Sequence, residues 1–433
     1  MGQAVPTNDS TSIAKVVLAS FIGTAIEWYD FFLYGTAAAL VFGKLFFPTL
    51  DANAGLLASF STYAVGFFAR PLGGIVFGHF GDRVGRKSTL VASLVMMGAA
   101  TFLIGLLPTY SAIGIWAPIL LVGLRFVQGF GVGGEWGGAV LLAVEHAYQG
   151  KRGFFSSWVQ VGVPVGQLLA VGVFALVSRL PESSLLAWGW RLPFLAGIVL
   201  LLIGLFIRLQ ILESPLFRRV IATTPAQRLP VLEVLRTHPR NVLLSMGARM
   251  AENVSFYVLS VFVLSYATDP KTLNLPRQTI LYGVLVASAC QLLTLPLFGW
   301  LSDRWGRRPI YMLGAIGMGL FAFPFFWMID TRQIPIIWLA LAIGLGVFHA
   351  AMYGPQAAFF SELFGTRVRY SGASLGYQLA SPFAGGLAPL IATVLLRQTD
   401  GRPWPVAVYV VAMVLVTLTS VWFAAETARR ELQ

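Results

Sequence analysis

The segment Gly78-His-Phe-Gly-Asp-Arg-Val-Gly-Arg-Lys87 occurs a second time, in altered form, as Gly299-Trp-Leu-Ser-Asp-Arg-Trp-Gly-Arg-Arg308. Both copies follow the pattern G-x-x-x-D-R-x-G-R and end on a basic residue. A weaker pair, Ser156-Ser-Trp-Val-Gln160 and Ser374-Leu-Gly-Tyr-Gln378, has a similar offset of about 220 residues. Segments that return at one offset indicate an internal repeat. The chain therefore consists of two related halves.

Both halves are strongly apolar. Of the 433 residues, 57% are hydrophobic and 11% are charged, against roughly 25% charged residues in an ordinary soluble domain. One or two globular cores could not bury so much apolar surface. The composition therefore excludes a soluble enzyme and a nucleic-acid-binding domain, despite a net charge of +12. Cys290 is the only cysteine, so an intramolecular disulfide and a cysteine-based metal site are excluded as well.

Apolar stretches long enough to cross a bilayer, which takes about 20 residues, recur along the chain. Six precede a long polar segment and six follow it. We therefore predict an all-α membrane protein with twelve transmembrane helices in two pseudo-symmetric six-helix bundles. The expected domains are an N-terminal bundle at 1–210, a cytoplasmic linker at 211–240 and a C-terminal bundle at 241–433. The predicted spans are 15–42, 55–80, 88–107, 115–145, 153–178, 190–210, 241–268, 278–300, 310–329, 336–360, 372–397 and 404–425.

The basic residues predict the orientation of these spans. Most of the 30 Lys and Arg residues lie on the side that holds both termini and the linker. Cytoplasmic segments of membrane proteins are enriched in Lys and Arg. Both termini are therefore expected in the cytoplasm, in a multi-pass protein of the bacterial-type inner membrane.

Ionisable side chains also lie well inside several spans. A charge at the bilayer centre costs about 2.5–3.5 kcal/mol on insertion scales and usually faces a partner or a water-filled cavity. A helical rise of about 1.5 Å per residue brings these side chains to one central layer. We therefore predict a shared polar cavity halfway through the membrane. Its charged residues are Glu27, Asp30, Arg70, Arg125, Arg249 and Glu252.

Three arginines suggest that this cavity binds an anion, because a guanidinium matches the planar geometry of a carboxylate. We expect Arg125, helped by Arg70 and Arg249, to hold a substrate carboxylate. The alternative is that each arginine only neutralises a nearby acid and fixes helix packing. For His349, the alternative is a hydrogen-bonded packing residue. Further candidates for substrate binding, chosen as helical neighbours, repeat partners or stacking aromatics, are Tyr34, Gln128, Trp136, Gln160, Glu252, His349, Tyr377 and Gln378.

The acids of the cavity suggest proton carriage. Burial and nearby arginines both change the pKa of a carboxylic acid, so a motion that alters either can load and unload a proton. Asp30 is the first candidate, Glu27 the second and Glu135 the third. A permanent ion pair is the alternative for each of them.

Several segments resemble a known family. The repeated motif, Arg125-Phe-Val-Gln-Gly129 and Gly162-Val-Pro-Val-Gly166 resemble signature motifs of the major facilitator superfamily. Within it, Glu27-Trp-Tyr-Asp-Phe-Phe-Leu-Tyr34 and Gly133-Gly-Glu-Trp-Gly137 resemble the metabolite:proton symporter family. The stretch Trp116-Ala-Pro-Ile-Leu-Leu-Val122 is similar to the shikimate permease branch.

The resemblance implies a proton-coupled secondary transporter that imports a small organic acid, such as shikimate or a related carboxylate, by alternating access. Its partners would be the substrate, protons and the lipid bilayer, without nucleic acid, and the chain would act as a monomer. Three alternatives remain: a proline/betaine-type zwitterion symporter, a passive facilitator and a membrane-embedded enzyme. The enzyme is disfavoured because the sequence has no H-E-x-x-H motif or comparable metal-ligand spacing. We expect no cofactor, metal site or catalytic residue.

The resemblance also gives the repeated motifs a role. They are expected to form cytoplasmic loops that act as a charge-relay latch, holding the halves together when the cytoplasmic side is closed. The alternative is that their positive charges only mark topology. The predicted gate residues are Asp82, Arg83, Arg86, Lys87, Asp303, Arg304, Arg307 and Arg308.

Overall fold

The computed structural model describes residues 13–84, 86–148, 150–210, 230–365 and 369–429. These ranges form twelve long helical spans, and a short helix, Pro230–Thr237, precedes span 7. Spans 1–6 are 13–46, Ala52–Val84, Arg86–Leu106, Trp116–Val132 continued by Trp136–His146, Arg152–Val177 and Arg191–Gln210. Spans 7–12 are Pro239–Thr268, Arg277–Trp305, Arg307–Asp330, Ile334–Glu362, 369–397 and Trp404–Phe423.

The predicted all-α fold of twelve spans is confirmed, and each helix matches the stretch predicted for it to within about five residues at either end. The linker boundaries stay a prediction, since 211–229 lies outside the described residues and 230–237 is helical. Several helices run a turn beyond their predicted ends. Hydropathy locates the part of a helix that lies in hydrocarbon, whereas backbone hydrogen bonding continues into the polar interface.

The prediction of a loop between spans 8 and 9 is wrong, because both helices continue into the charged motif. Residues 299–305 are the last turns of span 8, and span 9 begins at Arg307. Only Gly306 separates the two helices, with φ +104° and ψ 156°. Glycine adopts such a positive φ readily because it has no Cβ. The charged motif is therefore a helix–glycine–helix corner, and residues 78–84 of the first copy are also helical.

The spans differ in how apolar they are. Judged by length and hydropathy alone, eight helices among the described residues could cross a membrane, and nine could if the bent pair Glu182–Gly189 and Arg191–Phe206 forms one span. Span 3 falls short because its apolar part is Val91–Leu106. Spans 1 and 2 carry the buried charged residues Asp30 and Arg70. Charged residues within spanning helices indicate a polar interior between them.

Spans 1, 2, 4 and 5 of the N-terminal half pack against spans 7, 8, 10 and 11 of the C-terminal half. The outer helices are more exposed. In the most apolar 18 residues of each span, 33% is buried in span 12 and 39% in span 9, against 94% in span 7. The interface between the halves is therefore built from the helices that carry the charged residues.

Short π-helical turns interrupt four spans at this interface. Ala38–Phe42 lies in span 1 and Val258–Phe262 at the corresponding place of the repeat in span 7. Gly344–His349 and Ser381–Gly386 interrupt spans 10 and 11. Single π turns within α-helices are frequent at functional sites. The four π turns therefore indicate a functional site at the interface between the halves.

Candidate functional site

A small cavity, called the chamber below, lies between the two halves. The N-terminal half contributes two lining residues and the C-terminal half contributes the rest. The lining residues are Trp28, Val163, Arg249, Glu252, Asn253, Phe256, Tyr257, His349, Tyr353 and Tyr377.

Arg249 is the cation of this chamber. Its NH1 donates to the carbonyl of Tyr377 at 2.6 Å and to the hydroxyl of Ser381 at 3.1 Å. Its Cζ lies 3.0 Å from the centroid of the Tyr377 ring. Its Nε is 3.5 Å from Glu252 Oε2 and has no hydrogen-bond partner within the described ranges. The guanidinium is thus fixed in place while one N–H remains available.

Glu252 is also held by two side chains of span 10. His349 Nε2 lies 3.0 Å from Oε1, and Gln356 Nε2 donates to Oε2 at 3.2 Å. Gln356 also donates to the Tyr311 hydroxyl at 2.8 Å, which in turn donates to the Ala248 carbonyl at 3.0 Å. A connected network of this kind fixes the carboxylate in one orientation.

Several other polar atoms of the lining have no hydrogen-bond partner within the described ranges. Buried polar groups are nearly always paired, so each exception needs an explanation. Three of these atoms are N–H donors, so the chamber suits a ligand that offers oxygen atoms as acceptors. They are Trp28 Nε1, Arg249 Nε and Asn253 Nδ2.

Arg70 and Arg125 lie in an aromatic cluster beside the chamber rather than in its lining. The guanidinium carbons of Arg70 and Arg125 are 3.7 and 3.9 Å from the centroid of the Phe31 ring. Nε and NH2 of both arginines lack a hydrogen-bond partner within the described ranges. Tyr257 connects the cluster to the chamber, since its ring lies 6.0 Å from that of Tyr63 and 5.2 Å from that of Phe67.

A polar chain links Arg125 to Asp30. Arg125 NH1 donates to Gln128 Oε1, and Gln128 Nε2 donates to the Thr101 hydroxyl at 2.8 Å. Asp30 interacts with Thr101 and Arg125, and its Oδ2 has no hydrogen-bond partner in the described part of the chain. The predicted proton carrier and the predicted carboxylate ligand are therefore neighbours.

The remaining predicted residues are spread along the interface. Glu27 and Glu135 are buried, and Glu135 sits at the break of span 4, where it precedes Trp136–His146. Tyr34 donates to the hydroxyl of Thr62 at 2.7 Å. Gln378 Nε2 donates across the halves to the carbonyl of Gly133 at 3.1 Å.

Trp136 and Tyr377, expected to stack on a substrate ring, stack on each other across the interface. Their ring centroids are 3.7 Å apart with an interplanar angle of 13°. Trp136 Nε1 also donates to Gln160 Oε1 at 3.3 Å. Because Arg249 also lies over the Tyr377 ring, these three side chains connect the two halves beside the chamber.

At the end of span 8 that carries the second copy of the repeated motif, Asp303 joins the two halves. Its carboxylate accepts hydrogen bonds from the backbone N–H groups of Gly153 and Phe154, both at 2.8 Å. These groups belong to the first turn of span 5, where the helix carries a partial positive charge. A Cβ on Gly153 would lie 2.5 Å from the carbonyl oxygen of Gly299, so spans 5 and 8 meet backbone to backbone here.

Arg307 ties this contact to span 10. It donates to Asp303 Oδ1 at 2.7 Å and to both oxygens of Glu362 at 3.1 Å. Arg152 of the N-terminal half lies 3.8 Å from the same carboxylate. The hydroxyl of Thr427 donates to Glu362 at 2.7 Å, so the segment after span 12 joins the cluster too.

Glu426 fastens that segment to the start of span 9. Burial acts to raise the pKa of Glu426, but backbone N–H groups of Ala428, Arg307, Arg308 and Thr427 together hold the pKa below its ordinary value. The carboxylate therefore caps the first turn of span 9 in its charged form.

Not every predicted gate residue joins the halves. Arg304 lies over the ring of Trp300 at 4.0 Å, and Arg308 donates to the carbonyls of Val421 at 2.9 Å and Trp422 at 2.7 Å, all within the C-terminal half. The side chains of the other four lie outside the described residues: Asp82, Arg83, Arg86 and Lys87.

Sequence reasoning missed several residues of this site. Gln291 and Gln356 each place an amide in an apolar span, which was a weak but available signal. Phe31 gave no signal, because a phenylalanine within a span is expected to pack or to face lipid. Glu362 and Arg152 lie at span ends, where charged residues are ordinary.

The geometry is that of two six-helix halves around a small chamber lined by polar side chains. A family model described as Major Facilitator Superfamily matches residues 20–373 and 242–433. The chain belongs to the major facilitator superfamily. The family resemblance of the sequence motifs is thereby confirmed.

Other members of the superfamily are similar along nearly the whole chain. The "Shikimate transporter" of Escherichia coli (strain K12) is 45% identical over 93% of this chain and 92% of the relative. The "Proline/betaine transporter" of Escherichia coli (strain K12) is 35% identical over 98% of this chain and 86% of the relative. This major facilitator protein is a membrane transporter and not an enzyme.

A solved structure shows the same fold. "Crystal structure of D-xylose-proton symporter" matches with a TM-score of 0.74 at 22% identity, over 97% of this chain and 100% of that chain. At this identity the likeness concerns the fold of the superfamily alone.

Proposed function

We propose that this transporter imports a small organic acid together with protons across the bacterial cytoplasmic membrane, by alternating access and as a monomer. The observation that carries the proposal is the chamber between the halves, where Nε of Arg249 and the side-chain N–H groups of Trp28 and Asn253 have no hydrogen-bond partner within the described residues. A buried cation surrounded by N–H and O–H groups suits a carboxylate on an oxygen-rich molecule. The similar shikimate transporter supports the same substrate class.

The contacts at both ends of the chamber support alternating access. Asp303 and the first turn of span 5 close the cytoplasmic end. Toward the other end, Gln278 donates to the carbonyl of Ser178 at 3.0 Å, and Arg179 donates to the Tyr282 hydroxyl at 2.7 Å. A substrate can reach the chamber only when one of these two sets of contacts opens, so opening them in turn carries it across.

Asp30 is the proposed proton carrier of this cycle, with Glu27 and Glu135 as the next candidates. A proton on Asp30 removes a negative charge close to Arg125. The guanidinium of Arg125, already held by aromatic rings, then attracts an incoming anion more strongly. Proton and anion therefore favour each other's binding, which is the thermodynamic requirement for symport.

A zwitterion of the proline or betaine type is the second candidate, because a transporter of that kind is among the similar proteins. Quaternary ammonium groups bind over free aromatic faces. Here Arg249 lies over Tyr377 and Arg70 lies 5.1 Å from the centroid of the Trp28 ring. Because these rings already carry cations, the chamber favours an anion over a molecule with a positive end.

Uptake into energised cells tests the proposal, with shikimate, α-ketoglutarate, citrate and proline as probes. We expect one of the acids to accumulate and to make a weakly buffered medium more alkaline. Accumulation of proline but none of the acids would favour the zwitterion. Equilibration of an acid without accumulation or alkalinisation would indicate a passive facilitator and contradict proton coupling.

A further inference from the structure

We infer that Glu252 is a second proton-binding site, filled when the carboxylate of the substrate binds beside it at Arg249, and that Gln291 and His349 position it for this role. The inference rests on the proposed function, and it concerns the C-terminal half, whereas Asp30 lies in the N-terminal half.

The first step is the competition for Arg249. NH1 of this side chain is engaged by Tyr377 and Ser381, whereas the buried Nε has no hydrogen-bond partner within the described residues and can donate to a ligand. Glu252 Oε2 lies only 3.5 Å from that Nε. A substrate carboxylate that bonds to Nε therefore comes to lie beside the carboxylate of Glu252. Two adjacent carboxylates in a buried site cannot both stay ionised, so the pair takes up one proton.

The second step is the tautomer of His349. Gln291 Nε2 lies 3.0 Å from the carbonyl oxygen of Leu345 and 2.8 Å from His349 Nδ1. A carbonyl oxygen can only accept a hydrogen bond, so the nitrogen and not the oxygen of the Gln291 amide faces it. The same nitrogen then donates to Nδ1, which leaves the His349 proton on Nε2, where it is donated to Glu252. His349 is thus neutral and directs its single N–H at the carboxylate.

This arrangement decides where an added proton goes. His349 Nδ1 cannot accept it while Gln291 donates to that atom. The oxygen Oε2 of Glu252 can, and it points toward the Arg249 side of the chamber. The bound proton forms an O–H bond on Glu252 and donates to the substrate carboxylate. The proton comes from water when the chamber opens on one side and returns to water on the other.

Other ionisable groups also face the pair. They are Arg249 on span 7, Tyr311 on span 9, Tyr353 on span 10 and Tyr377 on span 11. Span 8 contributes the neutral Gln291. Arg249 is the only cation in this set. Because one cation cannot neutralise two carboxylates, binding of the substrate carboxylate favours protonation of the pair.

The test measures proton uptake when shikimate, α-ketoglutarate or citrate is added to the purified full-length protein in weakly buffered detergent solution. In the wild type, we expect proton uptake, and an affinity that improves by as much as about tenfold per unit fall in pH for each proton bound. Glu252→Gln mimics the protonated acid. It should bind the same acid at least as tightly at high pH, with the pH dependence reduced by one proton.

Two further variants keep the inference falsifiable. Asp30→Asn should retain the proton uptake that belongs to Glu252. Gln291→Leu removes the donor to His349 Nδ1, so that either ring nitrogen of His349 can carry the proton. This variant should move the midpoint of the pH profile without changing the affinity for the acid at low pH. Cys290→Ala, at the neighbouring position of span 8, is the matched control and should leave the profile unchanged. Elution as a single folded species checks each variant.

The outcomes separate the inference from the proposed function. If none of the three acids binds the wild type, the proposed function fails and this inference fails with it. If an acid binds but Glu252→Gln takes up protons as the wild type does, only the inference is overturned. The same holds if Asp30→Asn abolishes all proton uptake.

Discussion

The two halves hold their buried arginines in different ways. Arg70 and Arg125 of the N-terminal half lie over the Phe31 ring, and their Nε and NH2 groups lack hydrogen-bond partners in the described ranges. Arg249 of the C-terminal half is bonded to the oxygens of Tyr377 and Ser381 and lies beside Glu252. Aromatic rings hold a guanidinium without using its donors, whereas hydrogen bonds fix its direction.

This difference suggests a division of labour. The C-terminal half is preorganised, because Arg249 and Glu252 belong to a connected network that defines where a carboxylate can bind. The N-terminal half is more adjustable, because apart from the bond of Arg125 to Gln128 its guanidinium groups are held by rings, whose contacts tolerate small displacements. The half with fixed donors would then recognise the substrate and bind a proton with it at Glu252, and the adjustable half would respond to protonation of Asp30. Four variants test that contrast.

Arg249→Met should have the largest effect. It removes the anion site and leaves the Glu252 carboxylate without its cation, which costs about 3–5 kcal/mol for a buried pair. We expect loss of shikimate binding and a lower melting temperature in detergent. The double variant Arg249→Met/Glu252→Gln should recover much of the stability but none of the binding. Normal binding by either variant would end the idea that the C-terminal half holds the carboxylate.

Asp30→Asn should abolish accumulation against a gradient while leaving exchange of internal for external substrate measurable. The amide keeps the size of the side chain but cannot carry a proton at neutral pH. Uptake and exchange are both measured in proteoliposomes with radiolabelled shikimate. Undiminished uphill uptake would show that the adjustable half is not needed for coupling.

Phe31→Leu should weaken shikimate transport by about tenfold. A cation–π contact contributes about 0.5–2 kcal/mol, with the larger values at buried sites, and the Phe31 ring contacts two arginines. Phe32→Leu is the matched control. Phe32 is buried in the same helix, but its ring contacts Trp28 and Phe256. Equal effects of the two variants on the Michaelis constant would mean that apolar packing, and not the position of the arginines, explains the loss.

Asp303→Asn should have the smallest effect. It weakens the cap that the C-terminal half places on span 5, and a cap is worth about 0.5–2 kcal/mol. We expect a shift toward the cytoplasm-open form and a few-fold change in transport rate. Spin labels on the ends of spans 5 and 8 that meet at Asp303, in a Cys290→Ala background, would report the distance between these two helix ends. Arg304→Gln is the control, because Arg304 contacts Trp300 within its own half. An unchanged distance distribution in Asp303→Asn would contradict a latch at this contact.

The fold was more predictable than the site. A run of apolar residues has one stable state in a bilayer, a helix whose backbone groups are all paired, so spans such as 153–178 were found almost to the residue. The corner at Gly306 was not, because a charged motif marks the end of the hydrocarbon and not the end of a helix. The neighbours of Asp30 and Arg125 lie on several helices, and the distances along the chain gave no hint of the Thr101 link.

The sequence by itself determined the number of spans, the internal repeat and the presence of charged residues within the spans, because hydropathy and periodicity are local properties. Only the tertiary structure decided that Arg249 faces the chamber while Arg70 and Arg125 rest on Phe31. That choice depends on how helices from the two halves rotate and pack against each other. The free energy of a buried charge is set by those neighbours, which are remote in the chain.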